Sequence, residues 1–437
     1  MTTKRLFVSL WPLWLASLAA CDGLLEVVDP DLVTPEQVQG ERGAELYWAG
    51  ALGEFARAFS SGTGGQAVYG GLLADEFYLV GTFNTRIQVD QRAVLDVNNG
   101  TLLTEYRQLH RGRVATANAI DLLEEFPDPN SRISEMWSLN GYTYLLFAEH
   151  YCSGVPFGQA PNDTDPIFGD RVPTSAMLET ALSRFAAADA ANSGSADQAH
   201  LASMGSARAY LNQGDLAAAA AAAASVPSDW RYLVRSKTGG TSNQRNALFE
   251  LNHSQRRWSL SDVEGGNGVP FRSAADPRVP WADAGPTAAD GSSTLYHQLK
   301  YDSWESDVTL ASGIEARLIE AEADLAASGT DWLMTLNTLR TDNGIAGDLT
   351  DPGTSDGRVD LLFDERARWL FGTAHRLGDL RRLIRQYGRA EADVFPSGAF
   401  PGGGVYGVDV NLPIPREESA NPLLSDVTGP LCLDRDA

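Results

Sequence analysis

A segment at 196–227 constrains the fold of this chain more than any other stretch. Its first part, 200–212, repeats apolar residues every three or four positions: Leu201, Met204, Ala207 and Leu211. This spacing indicates one buried helical face. Gly214 interrupts the pattern, and Asp215 is suited to cap a following helix because its carboxylate can accept hydrogen bonds from the first free amides. An alanine run follows and ends before Pro227, so the sequence predicts two short helices joined by a tight turn.

Small and aromatic residues in this segment have the spacing of a tetratricopeptide unit, a two-helix repeat that stacks on its neighbours. The residues are Ala207, Tyr210, Gly214 and Ala219. Alanine-rich helices approach closely but bury little area each, so such a hairpin needs neighbours to be stable. An ordinary helical hairpin inside a bundle fits the segment equally well, and both interpretations stay open at this point.

Residues 1–20 have the pattern of a secretory signal peptide. Lys4 and Arg5 precede an apolar run, and Leu-Ala-Ala leads into Cys21. This ending is typical of a bacterial lipobox, in which the cysteine is acylated and becomes the first residue of the mature chain. A plain signal peptide with an incidental cysteine is the alternative. No other apolar run is long enough to span a bilayer, so we expect membrane attachment through a lipid on Cys21 alone.

The formal net charge of −23 argues against nucleic-acid binding, because phosphate backbones would repel the chain. The same charge opposes adsorption to an anionic lipid surface. Between 228 and 310 the sequence becomes rich in Gly, Ser, Asn, Asp and Pro, whereas helical periodicity dominates 34–227 and 311–390. A tail at 391–437 is again rich in Gly and Pro. We therefore expect a mainly α-helical scaffold that carries an irregular, loop-rich region.

Several groups of residues, in a fixed order along the chain, resemble a known family. They are Cys21 with 25–30; 50–55; 154–157; Gly214 and Asp215; 311–329 with 337–340; Glu365, Arg366, His375 and Arg376 with 379–382; and 413–415 with Asn421 and Pro422. Together they resemble the SusD/RagB family of outer-membrane nutrient-binding lipoproteins. The resemblance spans nearly the whole chain after the signal peptide, and it implies a single SusD-like domain at 21–437.

The resemblance also implies a fold and a function. The fold is a scaffold of four tetratricopeptide-like helical pairs with a grafted, ligand-facing subdomain. The function is to bind oligosaccharides or peptides at the cell surface and to deliver them to a SusC-like TonB-dependent transporter in the outer membrane. Such proteins are not enzymes. A glycan-hydrolysing lipoprotein and a helical-repeat scaffold that binds only protein are the alternatives.

Residue patterns for catalysis or metal binding are weak. The six histidines show no metal-ligand spacing, and no nucleophile elbow occurs. Asp75 and Glu76 are adjacent, so their side chains point apart and a cap or surface pair is favoured over a catalytic pair. A twelve-residue calcium loop ends in a glutamate, and no glutamate has that spacing from the four aspartates near 350. These are Asp348, Asp351, Asp356 and Asp360. We expect no catalytic residue, metal or cofactor.

The arginines between 366 and 385 alternate with acidic residues, which predicts an ion-paired helix face rather than an anion site.

A ligand site is expected in the Trp-rich irregular region, with help from the loop at 78–86. Sugar rings present apolar faces that stack on aromatic side chains, and their hydroxyls need polar partners at the rim. The candidate aromatic residues are Trp258, Trp281, Tyr301 and Trp304, and the candidate polar residues are Asn84 and Arg86. The alternative is that these aromatic side chains anchor loops onto the scaffold.

Cys152 and Cys432 are predicted to form a disulfide. They are the only thiols left once Cys21 is acylated, and an exported protein enters an oxidising compartment. Two buried free thiols are the alternative.

Overall fold

The computed structural model describes residues 40–436, apart from 63, 95–97, 128–130, 160–164, 239–241, 426 and 428–430. The predicted signal peptide at 1–20 and the lipid attachment at Cys21 lie outside the described residues. Among the helices described, none is both long and apolar enough to cross a membrane.

Helices dominate the described part of the chain. In order they are α1 (Gly40–Phe59), α2 (Gly65–Leu73), α3 (Asn84–Asp90), α4 (Gly100–Glu125), α5 (Arg132–His150), α6 (Thr174–Ala190), α7 (Ala196–Gln213), α8 (Leu216–Ala223), α9 (Ala247–Phe249), α10 (Gly313–Ala326), α11 (Trp332–Asp342), α12 (Ser355–Trp369), α13 (Arg376–Arg385) and α14 (Glu391–Val394). Helix α1 packs against α4, α5 against α6, α7 against α8, and α10 against α11. The predicted mainly α-helical scaffold of helical pairs is confirmed.

The strands in the described part of the chain are short and form antiparallel pairs. The strands are β1 (Phe77–Leu79), β2 (Val155–Pro156), β3 (Arg171–Val172), β4 (Arg231–Val234), β5 (Trp258–Leu260), β6 (Trp281–Asp283), β7 (Tyr296–Gln298) and β8 (Val308–Ser312). β1 pairs with β5, β2 with β3, β4 with β8, and β6 with β7. Most of these strands lie between 228 and 312, the stretch in which the sequence shows no helical periodicity.

The hairpin at 196–227 forms as its sequence predicts. Ser195 caps α7, and its side chain accepts a hydrogen bond from the Gln198 amide. Gly214 ends α7 with φ 81°, a left-handed conformation that glycine adopts without strain. The Asp215 carboxylate then accepts a hydrogen bond of 3.0 Å from the amide of Ala218, which starts α8. The two helix caps and the glycine between the helices therefore determine the shape of the hairpin through local interactions.

The arginine cluster on α12 and α13 is ion-paired in part, as predicted, and five of its six members are buried in the core. The ion-paired members are Arg366, Arg368, Arg376 and Arg382, whereas Arg381 donates to backbone carbonyls and Arg385 is exposed. Arg366 donates two hydrogen bonds of 2.9 Å to Asp379. Arg382 contacts Glu322 of α10 as well as Asp379. Asp75 and Glu76 are also buried, which corrects the expectation of a surface pair. Asp75 pairs with Arg376, so its charge is compensated inside the protein.

Cys152 and Cys432 form the disulfide that the sequence predicts. Their Cα atoms are 5.6 Å apart although 280 positions separate them along the chain. The bridge attaches the C-terminal tail beside the end of α5, and the Leu433 amide donates a 2.7 Å hydrogen bond to the Ser153 carbonyl there. The tail therefore closes over the scaffold instead of extending from it.

Candidate ligand-binding face

Two of the aromatic residues predicted to face solvent lie in the core. Trp258 is 1% exposed and sits edge-on to Tyr69, with ring centroids 5.5 Å apart. Tyr301 is 3% exposed, and its hydroxyl donates a hydrogen bond of 3.2 Å to the Gly372 carbonyl. Neither ring offers a face to a ligand in this structure. The prediction that they form a platform is corrected, because both rings fill the space between the strands and the helical scaffold.

Trp281 is partly exposed on the ribbon that β6 and β7 form. Its ring meets Tyr296 edge-on at 5.8 Å, and its Nε1 donates to the Arg272 carbonyl at 3.1 Å. The Arg272 guanidinium lies 3.6 Å from the centre of the Tyr296 ring. Side chains alternate between the faces of a strand, so Tyr296 and the next residue, His297, lie on opposite faces of this ribbon.

On the His297 face, four rings from three separate segments form a continuous series, which we call the ring ladder. Its members are Trp304, Phe249, His253 and His297, and all four are partly exposed. The Trp304 and Phe249 rings meet edge-on at 5.7 Å, and Phe249 and His253 stack at 4.6 Å. His253 and His297 stack at 4.1 Å with 10° between their planes.

Local backbone structure places the ladder. Asn246 caps α9 by accepting a 2.8 Å hydrogen bond from the Phe249 amide. The Asn246 amide in turn donates to the Trp304 carbonyl at 2.9 Å, which holds the Trp304 turn beside the helix. Helix α9 continues as a single π-helical turn, Glu250–Ser254, and such turns are frequent at functional sites. This turn carries His253 onto the side of Phe249, where the two rings stack.

Charge around the ladder is balanced, and its histidines are neutral at pH 7. Burial lowers the pKa of His253, which outweighs the opposite effects of the Gln298 carbonyl and Asp302. Burial and the neighbouring His253 lower the pKa of His297. The Arg245 guanidinium lies 4.9 Å from the Trp304 ring centre, and Trp304 Nε1 donates to Glu250. The ladder therefore presents uncharged, flat rings with a cation and an anion at its Trp304 end.

Asn84 and Arg86 lie on α3, at a different surface feature. Asn84 is exposed at the first position of that helix. The Arg86 guanidinium is 5.2 Å from the ring centre of Phe83, and Arg257 approaches the same ring at 4.2 Å. In the described part of the chain, no hydrogen bond, ion pair or ring contact joins either residue to the ladder. Of the six predicted ligand residues, only Trp304 belongs to it.

The sequence contains one signal for the ladder residues that were not predicted. Phe249 and His253 are four residues apart, a spacing that places two side chains on one helical face. His297 has no such signal because its position depends on the pairing of β6 with β7. Among the residues described, no group of three or more His, Cys, Asp or Glu side chains is arranged to hold a metal ion.

No protein-family model and no curated protein matches this chain in sequence. Solved structures do match its fold. A SusD superfamily protein from Parabacteroides distasonis superimposes with a TM-score of 0.65 at 14% identity, over 90% of this chain and 98% of that one. A SusD-like carbohydrate-binding protein from Bacteroides fragilis gives 0.62 at 16% identity, over 89% and 99%. A SusD-like carbohydrate-binding protein from Bacteroides vulgatus gives 0.59 at 13% identity, over 78% and 83%.

These comparisons show that the chain has the SusD-like fold, and the resemblance seen in the sequence is confirmed at that level. The match extends over nearly the whole length of two of the three structures named, so both the helical scaffold and the irregular region belong to the shared fold.

Proposed function

We propose that this protein is a cell-surface nutrient-binding lipoprotein, and that its ligand is an oligosaccharide that stacks on the ring ladder. The observation that carries the proposal is the ladder itself, four partly exposed rings on a fold shared with carbohydrate-binding proteins. It binds its ligand and passes it on without breaking a covalent bond.

The chemistry of the ladder suits a neutral sugar chain. Sugar rings carry flat C–H faces that pack on aromatic side chains, and stacking avoids the cost of removing a charged group from water. Because burial keeps both histidines neutral at pH 7, they act as flat rings rather than as cations. Arg245, Glu250 and Asp302 supply hydrogen-bond partners for hydroxyl groups at the edges of the rings.

Titration of a panel of oligosaccharides and peptides by isothermal calorimetry tests the ladder. For the best ligand, we expect Phe249→Ala and Trp304→Ala each to weaken binding by roughly tenfold or more, because each removes one stacking ring. Trp281→Ala is the matched control, since it removes a partly exposed indole from a different part of the same region. Equal losses in all three variants, or unchanged binding in the two ladder variants, would place the ligand elsewhere.

A peptide as the best ligand in the same titration would make the protein a peptide-binding member of the same transporter type.

We further propose that a lipid on Cys21 anchors the protein in the outer membrane, where it works with a SusC-like TonB-dependent transporter. A short tether raises the effective concentration of the partner, so a weak contact is enough to keep the two together. Purification from native membranes in mild detergent should yield a large barrel protein in stoichiometric amount. A Cys21→Ser variant that is released from the membrane is the control. Wild type that purifies alone would argue for independent function.

A further inference from the structure

A cavity of about 340 Å³ lies between α4, α5 and α6, and shares no lining residue with the ring ladder. Its principal polar and aromatic lining residues are Arg113, Asn118, Trp137, Asn140, Tyr144 and Arg184. The volume is at the lower end of the range for small-molecule sites, which fits a single sugar-sized molecule rather than an oligosaccharide.

Two guanidinium groups line this cavity, and neither has a carboxylate partner among the residues that the structure describes. Arg113 is 7% exposed; its Nη2 donates to the Gly158 carbonyl at 2.6 Å, whereas its Nε is buried and has no hydrogen-bond partner. Arg184 lies 5.0 Å from the ring centre of Trp137, and its Nε is also buried without a partner. The buried Nε atoms are out of reach of a ligand in the cavity, so an anion would approach the Nη groups. A guanidinium as little exposed as that of Arg113 is costly unless an anion does so.

Most other buried arginines in the described residues have the counter-charge that these two lack; the exception is Arg381, whose guanidinium donates to the backbone carbonyls of Ala148 and Glu149. Arg208 pairs with Glu149, and Arg366 pairs with Asp379. The chain as a whole carries a net charge of −23, so acidic side chains are abundant. Asp121 lines the same cavity but forms no ion pair with Arg113 or Arg184 among the residues described. The cavity is therefore a local site of unpaired positive charge in an acidic protein.

We infer that this cavity binds a small sugar acid, a monosaccharide that carries one carboxylate. The guanidinium fork matches a carboxylate and forms charge-assisted hydrogen bonds with it. Trp137 offers a flat ring beside Arg184 for the apolar face of the sugar. Asn118 and Tyr144 provide polar groups for its hydroxyls. The inference is independent of the ladder, because different helices build the two sites.

Calorimetric titration of the detergent-solubilised mature protein with D-glucuronate tests this site. We expect saturable binding of one glucuronate, and no binding of D-glucose over the same concentrations, since glucose has the same ring without the charge. Arg184→Gln should weaken glucuronate binding by about tenfold or more, because it removes a charge-assisted contact. Arg111→Gln is the matched control: Arg111 is exposed on the same α4 and does not line the cavity.

Several results would overturn the inference. If Arg184→Gln and Arg111→Gln weaken glucuronate binding equally, the anion is attracted to positive charge in general. If glucose binds as tightly as glucuronate, the carboxylate is not recognised. Inorganic sulfate that binds as tightly as glucuronate would exclude recognition of the sugar ring. Trp304→Ala should leave glucuronate binding unchanged, and a loss in that variant would assign the sugar acid to the ladder.

Discussion

Buried carboxylates in this protein differ in whether an arginine compensates them. Burial alone would raise the pKa of Asp379, but the neighbouring Arg366 and Arg382 outweigh it and hold that pKa well below its usual value. Glu76 has no arginine in direct contact, and burial raises its pKa to about 8. The Gly372 amide donates a 2.8 Å hydrogen bond to one Glu76 oxygen, while the other oxygen has no partner. Glu76 is therefore protonated at pH 7 in the folded state.

This leads to a prediction about stability and pH. The unfolded chain loses the Glu76 proton near its ordinary pKa of 4.5, whereas the folded protein keeps it until about pH 8. Between these values the folded state binds one more proton, so the free energy of unfolding falls as pH rises, by about 1.4 kcal/mol per pH unit from this group. Glu76→Gln keeps the acceptor for Gly372 and removes the titration.

Urea unfolding of wild type and Glu76→Gln at a series of pH values measures this effect. We expect the stability of the variant relative to wild type to increase from pH 5 to about pH 8, since titrating groups that do not interact with Glu76 cancel in the difference. Lys300 does interact with Glu76, and burial lowers its pKa to about 8, so the comparison is cleanest below pH 7. A pH-independent difference between wild type and Glu76→Gln would mean that Glu76 is ionised in the folded protein.

Residue exposure was the least predictable feature of the site. Trp258 and Trp304 have similar sequence surroundings, rich in polar residues and without helical periodicity. Trp258 is in the core because β5 pairs with β1, a contact between Leu79 and Trp258, which are far apart in the sequence, that no local pattern encodes. Trp304 stays partly exposed because Asn246 fixes its turn at the surface. The choice between them depends on long-range pairing.

At the scale of elements, a single aromatic side chain joins three helices of the scaffold. Phe185 of α6 lies against Gly141 of α5 and Gly205 of α7. A Cβ atom at Gly205 would come within 2.2 Å of the Phe185 ring, and one at Gly141 within 2.7 Å. The absence of side chains at these two positions lets α5 and α7 approach α6 closely, so the ring fills a notch between them.

We predict that Gly205→Ala destabilises the protein although alanine is the better helix former. The added methyl group overpacks the notch around Phe185, at a cost of about 1–3 kcal/mol in the free energy of unfolding. Gly53→Ala is the control, because Gly53 is exposed on α1 with nothing near its Cβ position. There we expect a gain of about 0.5–1 kcal/mol from helix propensity. The measurement is the free energy of unfolding in urea for wild type and both variants. A Gly205→Ala variant more stable than wild type would show that the space around Phe185 is not tightly filled.

Elements were predictable where caps and periodicity agree, as in α7 and α8. They were not predictable at α9 and its π-helical turn, because three helical residues are too few to show a period. The short strands were missed individually for the same reason. Since the ring ladder stands on α9, its π-helical turn and β7, the part of the fold that positions the candidate site is the part with the weakest local signal.

At the scale of the whole molecule, the order of weak motifs along the chain predicted the fold better than any motif alone. A turn such as Gly214 with Asp215 is common in unrelated folds. A whole set of such motifs in a fixed order along the chain is compatible with far fewer folds. The disulfide was also predictable, since the predicted acylation of Cys21 leaves a single possible pair. The order of the motifs could not predict where in the fold the disulfide lies.

The disulfide should stabilise the whole protein rather than the tail alone. It closes a loop between positions 280 residues apart, so in the unfolded chain it removes much conformational freedom. Cys152 and the tail residue Leu412 are both fully buried, and the Cys152 amide donates a 3.0 Å hydrogen bond to the Leu412 carbonyl. We therefore predict that the double variant Cys152→Ala and Cys432→Ala loses about 2–5 kcal/mol of unfolding free energy in one cooperative transition. Wild type unfolded under reducing conditions is the control and should match the double variant. Loss of the tail in a separate early transition, with the main transition unchanged, would show that the bridge holds only the C-terminal segment.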